Sequence, residues 1–224
     1  MENFIGNMNN VIQLVGIHET LTGQEPGRRF GVEVLNKSAI VLATACWEAY
    51  IEDLAEEAFN FLFDASLDHS GIPTKVQGLV GRSLKDEPDD KSVWKMADEG
   101  WRTVLQNYKA NVLKRYTGTL NTPKPDKIDK IFEELIGLQN LSSSWSWRRM
   151  PSGEAINRLT KYIELRGAIA HRVSVRTAVR KSDAIEYALF VLRLAAKTTN
   201  TVGKYLTDIT GQKPWRSYSI PRGA

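Results

Sequence analysis

Cysteine is nearly missing: Cys46 stands alone in 224 residues. That excludes an intramolecular disulfide and any cysteine-rich zinc site. Set in an apolar run, Cys46 reads as a small core residue rather than a nucleophile. Histidine is scarce as well, with three in the chain. There is no HExxH, no CxxC pair and no glycine-rich phosphate loop, so metalloprotease, zinc and P-loop readings fall away. No metal or cofactor is expected. Long apolar runs are also lacking. The longest nearly uncharged stretch, Ser38–Ile51, falls short of the ~18 apolar residues that span a bilayer. The first residues, Met1–Glu–Asn–Phe–Ile–Gly6, show neither a basic nor a continuous apolar signal region. The expectation is a cytoplasmic protein with no membrane partner. No internal repeat or low-complexity tract stands out.

What is present is an ordinary globular composition, 42% hydrophobic and 25% charged, with a net charge of +4. The length allows one or two domains and an ample core. The mild positive charge suits a polyanionic partner without demanding one.

Apolar residues recur mostly at three- and four-residue steps, the helical period. A first helix is expected over Asn9–Thr22, with Val11, Ile12, Leu14, Val15 and Leu21 inward. A long one follows from about Phe30 to Asp64, carrying Leu35, Ser38, Leu42, Ala45, Ala49, Leu54, Ala58 and Leu62. Between Ser38 and Ile51 its apolar character goes all the way round, so it is expected to be central. Further helices are expected over Thr74–Leu84, Val93–Tyr116, Lys127–Gly137 and from Ser152 through the 160s. In the Val93–Tyr116 helix, Val93, Trp94, Ala97 and Trp101 would form the stripe. The last helix, capped by Ser182, would seal with Ile185, Ala188, Leu189, Leu192, Ala195, Ala196, Thr199, Val202 and Leu206. Trp215 is expected as an anchor in the tail. Val173–Val175 alternates too briefly to found a sheet. The fold class is therefore all-α, a single helical bundle of about five to seven helices. Residues 1–224 are expected to form one domain, with a core over about 30–206, an N-terminal helix before it and a tail from 207.

Three features carry potential chemistry. Glu48 is the one charge in its apolar window, and a buried carboxylate needs a partner or a route to water. It either snorkels to the surface or meets a buried cation, with Arg166 the candidate. Trp145–Ser–Trp147–Arg148–Arg149 sets aromatics beside arginines. Either the rings pin this connector to the bundle or a partner, or the group touches nucleic acid. Most informative is Leu165–Arg166–Gly–Ala–Ile–Ala–His171. An arginine can hold a phosphate with a bidentate fork, and a histidine moves protons near neutral pH.

That segment, together with Trp47–Glu–Ala–Tyr–Ile–Glu52 in the central helix and the long closing helix, resembles the HEPN superfamily. Within it the chain resembles the RiboL-PSP-type branch, over roughly Phe30–Leu206. The resemblance implies a bundle that dimerises with its two Arg-x4-His motifs face to face. In active members it implies metal-independent RNA cleavage, often in toxin–antitoxin or phage-defence systems, so RNA, a second copy and an antitoxin or other defence protein are the implied partners. Other members only bind RNA or protein. Two positions depart from the pattern: active members commonly carry Asn or Asp after the arginine, where this chain has Gly167, and a small residue after the histidine, where it has Arg172.

On this reading His171 is the general base or acid and Arg166 clamps the non-bridging oxygens as charge gathers on phosphorus. Glu48 and Glu164 are supporting candidates, Glu164 lying two turns before His171. Arg172, Arg176 and Arg180, spaced by four, either track an RNA backbone or form a solvated basic face. Five residues at ~100° each separate Arg166 from His171 by about 140° around an ideal helix. Either one chain presents half a site and a two-fold mate the rest, or the helix ends near Ala170 and the backbone re-aims the histidine.

Overall fold

A computed structural model describes residues 1–22, 32–89, 91–117, 123–171 and 178–219. Among the described residues the helical periods become seven α-helices: α1 (Glu2–Thr22), α2 (Glu33–Ala65), α3 (Thr74–Lys85), α4 (Gly100–Thr117), α5 (Pro125–Ile136), α6 (Ser152–His171) and α7 (Lys181–Thr210). Short 3-10 turns lie at His69–Gly71, Ser92–Met96 and Leu141–Ser144. Among the described residues there is no strand, only an isolated bridge between Trp147 and Met150. The all-α expectation holds, at the upper end of the expected helix number. None of the described helices is long and apolar enough to cross a membrane.

The centre is the pair α2 and α7, with α1, α5 and α6 packed on α2 and α1 also against α7. Two satisfied polar clusters tie the pair together inside the apolar core. The Tyr50 hydroxyl bonds the Ala195 carbonyl at 2.8 Å and shares a hydrogen bond with the Thr199 hydroxyl. Thr44 Oγ1 and the Tyr187 hydroxyl lie 3.0 Å apart. Each such pairing avoids the ~1–3 kcal/mol cost of a buried polar group left alone. Trp47, fully buried, stacks on Tyr50 and meets the edge of Trp145.

Several expectations shift by a few residues or a fraction of a turn. α1 starts seven residues earlier than expected, because Phe4 and Met8 extend its buried side through Val11. Ile12, expected inward, is 55% exposed. In α2 the buried face is Asn36, Ala39, Ile40, Ala43, Thr44, Cys46, Trp47, Tyr50, Ile51 and Leu54, whereas Ser38, Ala45 and Ala49 face outward. The all-round apolar window thus does not mean all-round burial: its outer side is lined by small residues. The expected Val93–Tyr116 helix is broken. Asp98 takes a left-handed conformation (φ 49°), and a Cβ on Gly100 would lie 2.1 Å from the Lys95 carbonyl oxygen. A continuous helix cannot pass, so Trp94 is left 77% exposed instead of in the stripe. α7 is preceded by Arg180 as N-cap, not Ser182, and Asp183 accepts the Arg180 N–H at 2.8 Å. Its inner side is Ala184, Tyr187, Phe190, Val191 and Leu194, with Leu189 turned out.

The Trp connector divides by residue. Trp145 is wholly buried and donates from Nε1 to Thr198 Oγ1 at 3.0 Å. It pins the connector to the bundle and is closed to any base or partner. Trp147 is half-buried against Phe190. The tail anchor also forms: Trp215 Nε1 donates to the Thr199 carbonyl at 3.1 Å and lies against Gly203, whose missing side chain makes the room.

Candidate functional site

The seam of α6 explains where its arginine goes. Ala155, Leu159 and Ile163 are buried, with Tyr162 beside them. These positions follow the three- and four-residue rhythm of one helix side, and Arg166 is the next step on it. A guanidinium therefore sits where an apolar residue would continue the core. It is half-buried.

Its surroundings come from two other helices. Glu48 on α2 is half-buried, and burial is the main reason its carboxyl is pushed up, with the neighbouring Glu52 charge adding to the rise. Arg166, and Lys127 from α5, oppose that rise. The choice posed by the sequence is thus answered on both sides: Glu48 keeps contact with water and also lies within electrostatic reach of Arg166. From α7, burial pushes the Tyr187 hydroxyl well up, and the Arg166 charge pulls against this. Tyr187 hydrogen-bonds Thr44, one turn before Glu48, and stacks on Tyr162 with ring centres 4.0 Å apart. Arg166 is thereby placed where α2, α6 and α7 meet. Glu52, itself pushed up by burial and then by Asp53, completes an acidic edge on α2.

The remaining candidates divide between described and undescribed positions. α6 stays helical through position 171, so its backbone does not turn early to re-aim the histidine. The helix positions of Arg166 and His171 remain about 140° apart. The His171 side chain lies outside the described residues, as do Arg172 and Arg176. Glu164 is exposed. It shares the outer side of α6 with position 171, but seven residues of rise put them ~10 Å apart, beyond the one-turn spacing at which helix side chains meet. Arg180 is exposed and has an extended backbone, φ −83° and ψ 157°. The regular four-residue line therefore does not reach it on a continuous helix. Gly167 has open space around it: a Cβ there would meet no atom within 4 Å.

Sequence reasoning named Glu48 and Arg166 but missed Thr44, Glu52, Lys127, Tyr162 and Tyr187 as their setting. Thr44 carried a usable signal, a polar residue one turn from Glu48 in an apolar run. Lys127 and Tyr187 carried none, since their approach depends on how α5 and α7 pack. No group of three or more His, Cys, Asp or Glu among the described residues stands close enough to hold a metal ion.

A model of the RiboL-PSP-HEPN family matches residues 8–204, taking in α1 ahead of the span suggested by the sequence motifs. No curated protein and no solved structure matches the chain.

Proposed function

Because the chain belongs to the RiboL-PSP-HEPN family, we propose that it is a metal-independent endoribonuclease. The observation that carries this reading is the guanidinium of Arg166 on the inner seam of α6, half-buried and within electrostatic reach of Glu48 and Tyr187. A purely structural seam would place an apolar side chain there.

The chemistry follows from the two motif residues. His171 takes the proton of an RNA 2′-hydroxyl, and the freed oxygen attacks the adjacent phosphorus. The bond to the 5′-oxygen breaks, and that oxygen leaves with a proton supplied by a second imidazole or water. The products are a 2′,3′-cyclic phosphate and a 5′-hydroxyl. Arg166 holds the non-bridging oxygens, more strongly as negative charge builds on them. Glu48 is a positioning residue that keeps the guanidinium aimed. DNA lacks the 2′-hydroxyl and resists.

The 140° separation on α6 favours a homodimer, with each chain supplying half of a paired site around a two-fold axis. The outer side of the helix around position 171 carries Gly167 and Ala168, small enough for close approach of a second copy. We place the activity in the cytoplasm, in toxin–antitoxin or phage defence, with an antitoxin or another defence protein as its controlling partner. Incubation with RNA in EDTA tests the proposal: cleavage to cyclic-phosphate ends is expected, and equal cleavage by His171→Ala rejects it.

A second reading, a non-catalytic RNA- or protein-binding module, is favoured by Gly167. The place where active relatives commonly carry Asn or Asp is open space here. It predicts salt-dependent RNA binding with no turnover, and appearance of cleavage in Gly167→Asn would support it as the reason for inactivity.

A further inference from the structure

The Trp147–Met150 turn lies outside the motif, yet its backbone is unusual. Trp147 and Met150 exchange both backbone hydrogen bonds, at 3.0 and 2.9 Å, leaving Arg148 and Arg149 at the tip. Arg149 has a φ of 63°. In a two-residue turn that conformation belongs to Gly or Asn, and an arginine there is strained. Both arginines are exposed, and neither pairs with an acid among the described residues. The backbone pairing of the turn does not require an arginine at 149.

From this turn a continuous line of rings and cations leads to Arg166. Trp147 packs on Phe190 with centroids 5.9 Å apart. Arg158 on α6 lies over the same Phe190 ring at 5.3 Å and over Tyr162 at 5.9 Å. Tyr162 stacks on Tyr187, beside Arg166. Arg158 precedes Arg166 by eight residues, about 12 Å along the helix axis, which leaves room for more than one nucleotide between them. Acids also face this edge from α7. Glu186 holds Arg158 at 2.8 Å, and Glu186 and Asp183 both act on the Tyr162 hydroxyl. Each is already engaged: Glu186 with Arg158, and Asp183 with the Arg180 N–H.

We propose that single-stranded RNA runs along this α6–α7 edge, from Arg166 past Tyr162, Arg158 and Trp147, and that Arg148 and Arg149 at the turn each grip a backbone phosphate away from the scissile bond. The proposal rests on the RNA reading above and specifies where the strand goes. Arginines beside half-buried aromatic rings fit a flexible strand, whose phosphates and bases reach both. In the complex a phosphate competes with Glu186 for Arg158.

Binding tests it without relying on turnover. The probe is an unstructured 2′-O-methyl RNA of about a dozen nucleotides, titrated by fluorescence anisotropy over a salt series. Arg148→Ala/Arg149→Ala should bind about ten-fold more weakly, and its salt slope should fall by about 1.4, or ~0.7 for each lost phosphate contact on a single strand. Arg149→Gly should lose about half of that slope change while melting at or above the wild-type temperature, which separates lost contact from lost fold. Arg149→Lys should keep most of the slope, and Glu186→Gln should tighten binding by freeing Arg158. Wild-type affinity and slope in the double variant overturn the proposal. Cleavage in EDTA is read separately. A wild-type protein that binds through the turn but cuts nothing removes the nuclease reading and supports the strand path, whereas cutting with unchanged variant binding does the reverse.

Discussion

Gly167 offers the cleanest perturbation of the motif, because it can be changed without touching either Arg166 or His171. It sits inside α6, four residues before the helix ends. Glycine in a helix interior costs ~0.5–1 kcal/mol relative to alanine, through the backbone freedom it loses on folding. The new methyl of Gly167→Ala would meet nothing within 4 Å, so no clash subtracts from that gain. For a chain of this length each kcal/mol moves the melting temperature by ~2–4 °C, so a rise of about 1–4 °C is expected. The assay is thermal unfolding at dilute protein, repeated at high concentration. If a second copy packs closely on this side of α6, the methyl intrudes on it. Stabilisation should then shrink or reverse as concentration rises, with dimer loss visible by light scattering. A lower melting temperature at dilution would refute the reasoning, since it would mean that the space beside Gly167 is occupied within one chain. Gly167→Asn carries the functional half: a polar group next to Arg166 should raise cleavage in EDTA.

Three further outcomes follow from the packing. Burial raises the carboxyls of Glu48 and Glu52, so the folded state holds these protons more tightly than the unfolded one. Their effect is to make stability fall as pH rises from about 4.5 through the raised folded values; Glu52→Gln should therefore stabilise the protein near pH 7 and match wild type at low pH, and a constant urea-midpoint difference across pH would contradict this. Trp145→Ala removes a fully buried ring and its bond to Thr198, with an expected loss of ~3–5 kcal/mol in equilibrium unfolding; a loss below ~1 kcal/mol would show that the connector is not part of the core. Gly203→Ala places a methyl 2.6 Å from Trp215 Nε1, so the tail should lift from α7, red-shift tryptophan emission and become sensitive to protease. An unchanged spectrum would mean that the ring adjusts in place.

The sequence was most legible where one helix side decides burial. Ala155, Leu159 and Ile163 declare the inner seam of α6 by period alone, and Arg166 falls on its continuation. It was least legible where every side looks apolar. Ser38, Ala45 and Ala49 seemed as inward as Ala39, Ala43 and Cys46, because small residues satisfy either environment and only the neighbours of α2 distinguish them. The Val93–Trp101 stretch failed for another reason. Its period was helical, but the backbone contact between Gly100 and the Lys95 carbonyl is a local packing event that hydrophobic spacing does not encode. The approach of Arg166 to Glu48, close enough for its charge to oppose the raised carboxyl, could be anticipated because a lone carboxylate in an apolar run has few partners of opposite charge. Tyr162 stands one turn before Arg166 on α6, but Tyr187 and Lys127 belong to other helices, and nothing in the linear order brings those two near.

On the nuclease reading, the α2–α6–α7 junction would have to differ from a purely structural meeting of charges. Desolvating charges costs several kcal/mol, and a close-packed apolar pair of similar volume is often as stable or more so. A bundle selected only for stability would therefore gain nothing from Glu48 and Arg166. Here burial is incomplete: both residues are half-buried, and Glu48 remains raised despite Arg166 and Lys127. On the nuclease reading, partial desolvation would strengthen the field of the guanidinium on an incoming phosphate relative to bulk water. Replacing the pair together, Glu48→Met with Arg166→Leu, should leave folding stability unchanged or higher while abolishing both cleavage and the Arg166 share of RNA affinity. A double variant that unfolds instead would assign the pair to the architecture of the bundle.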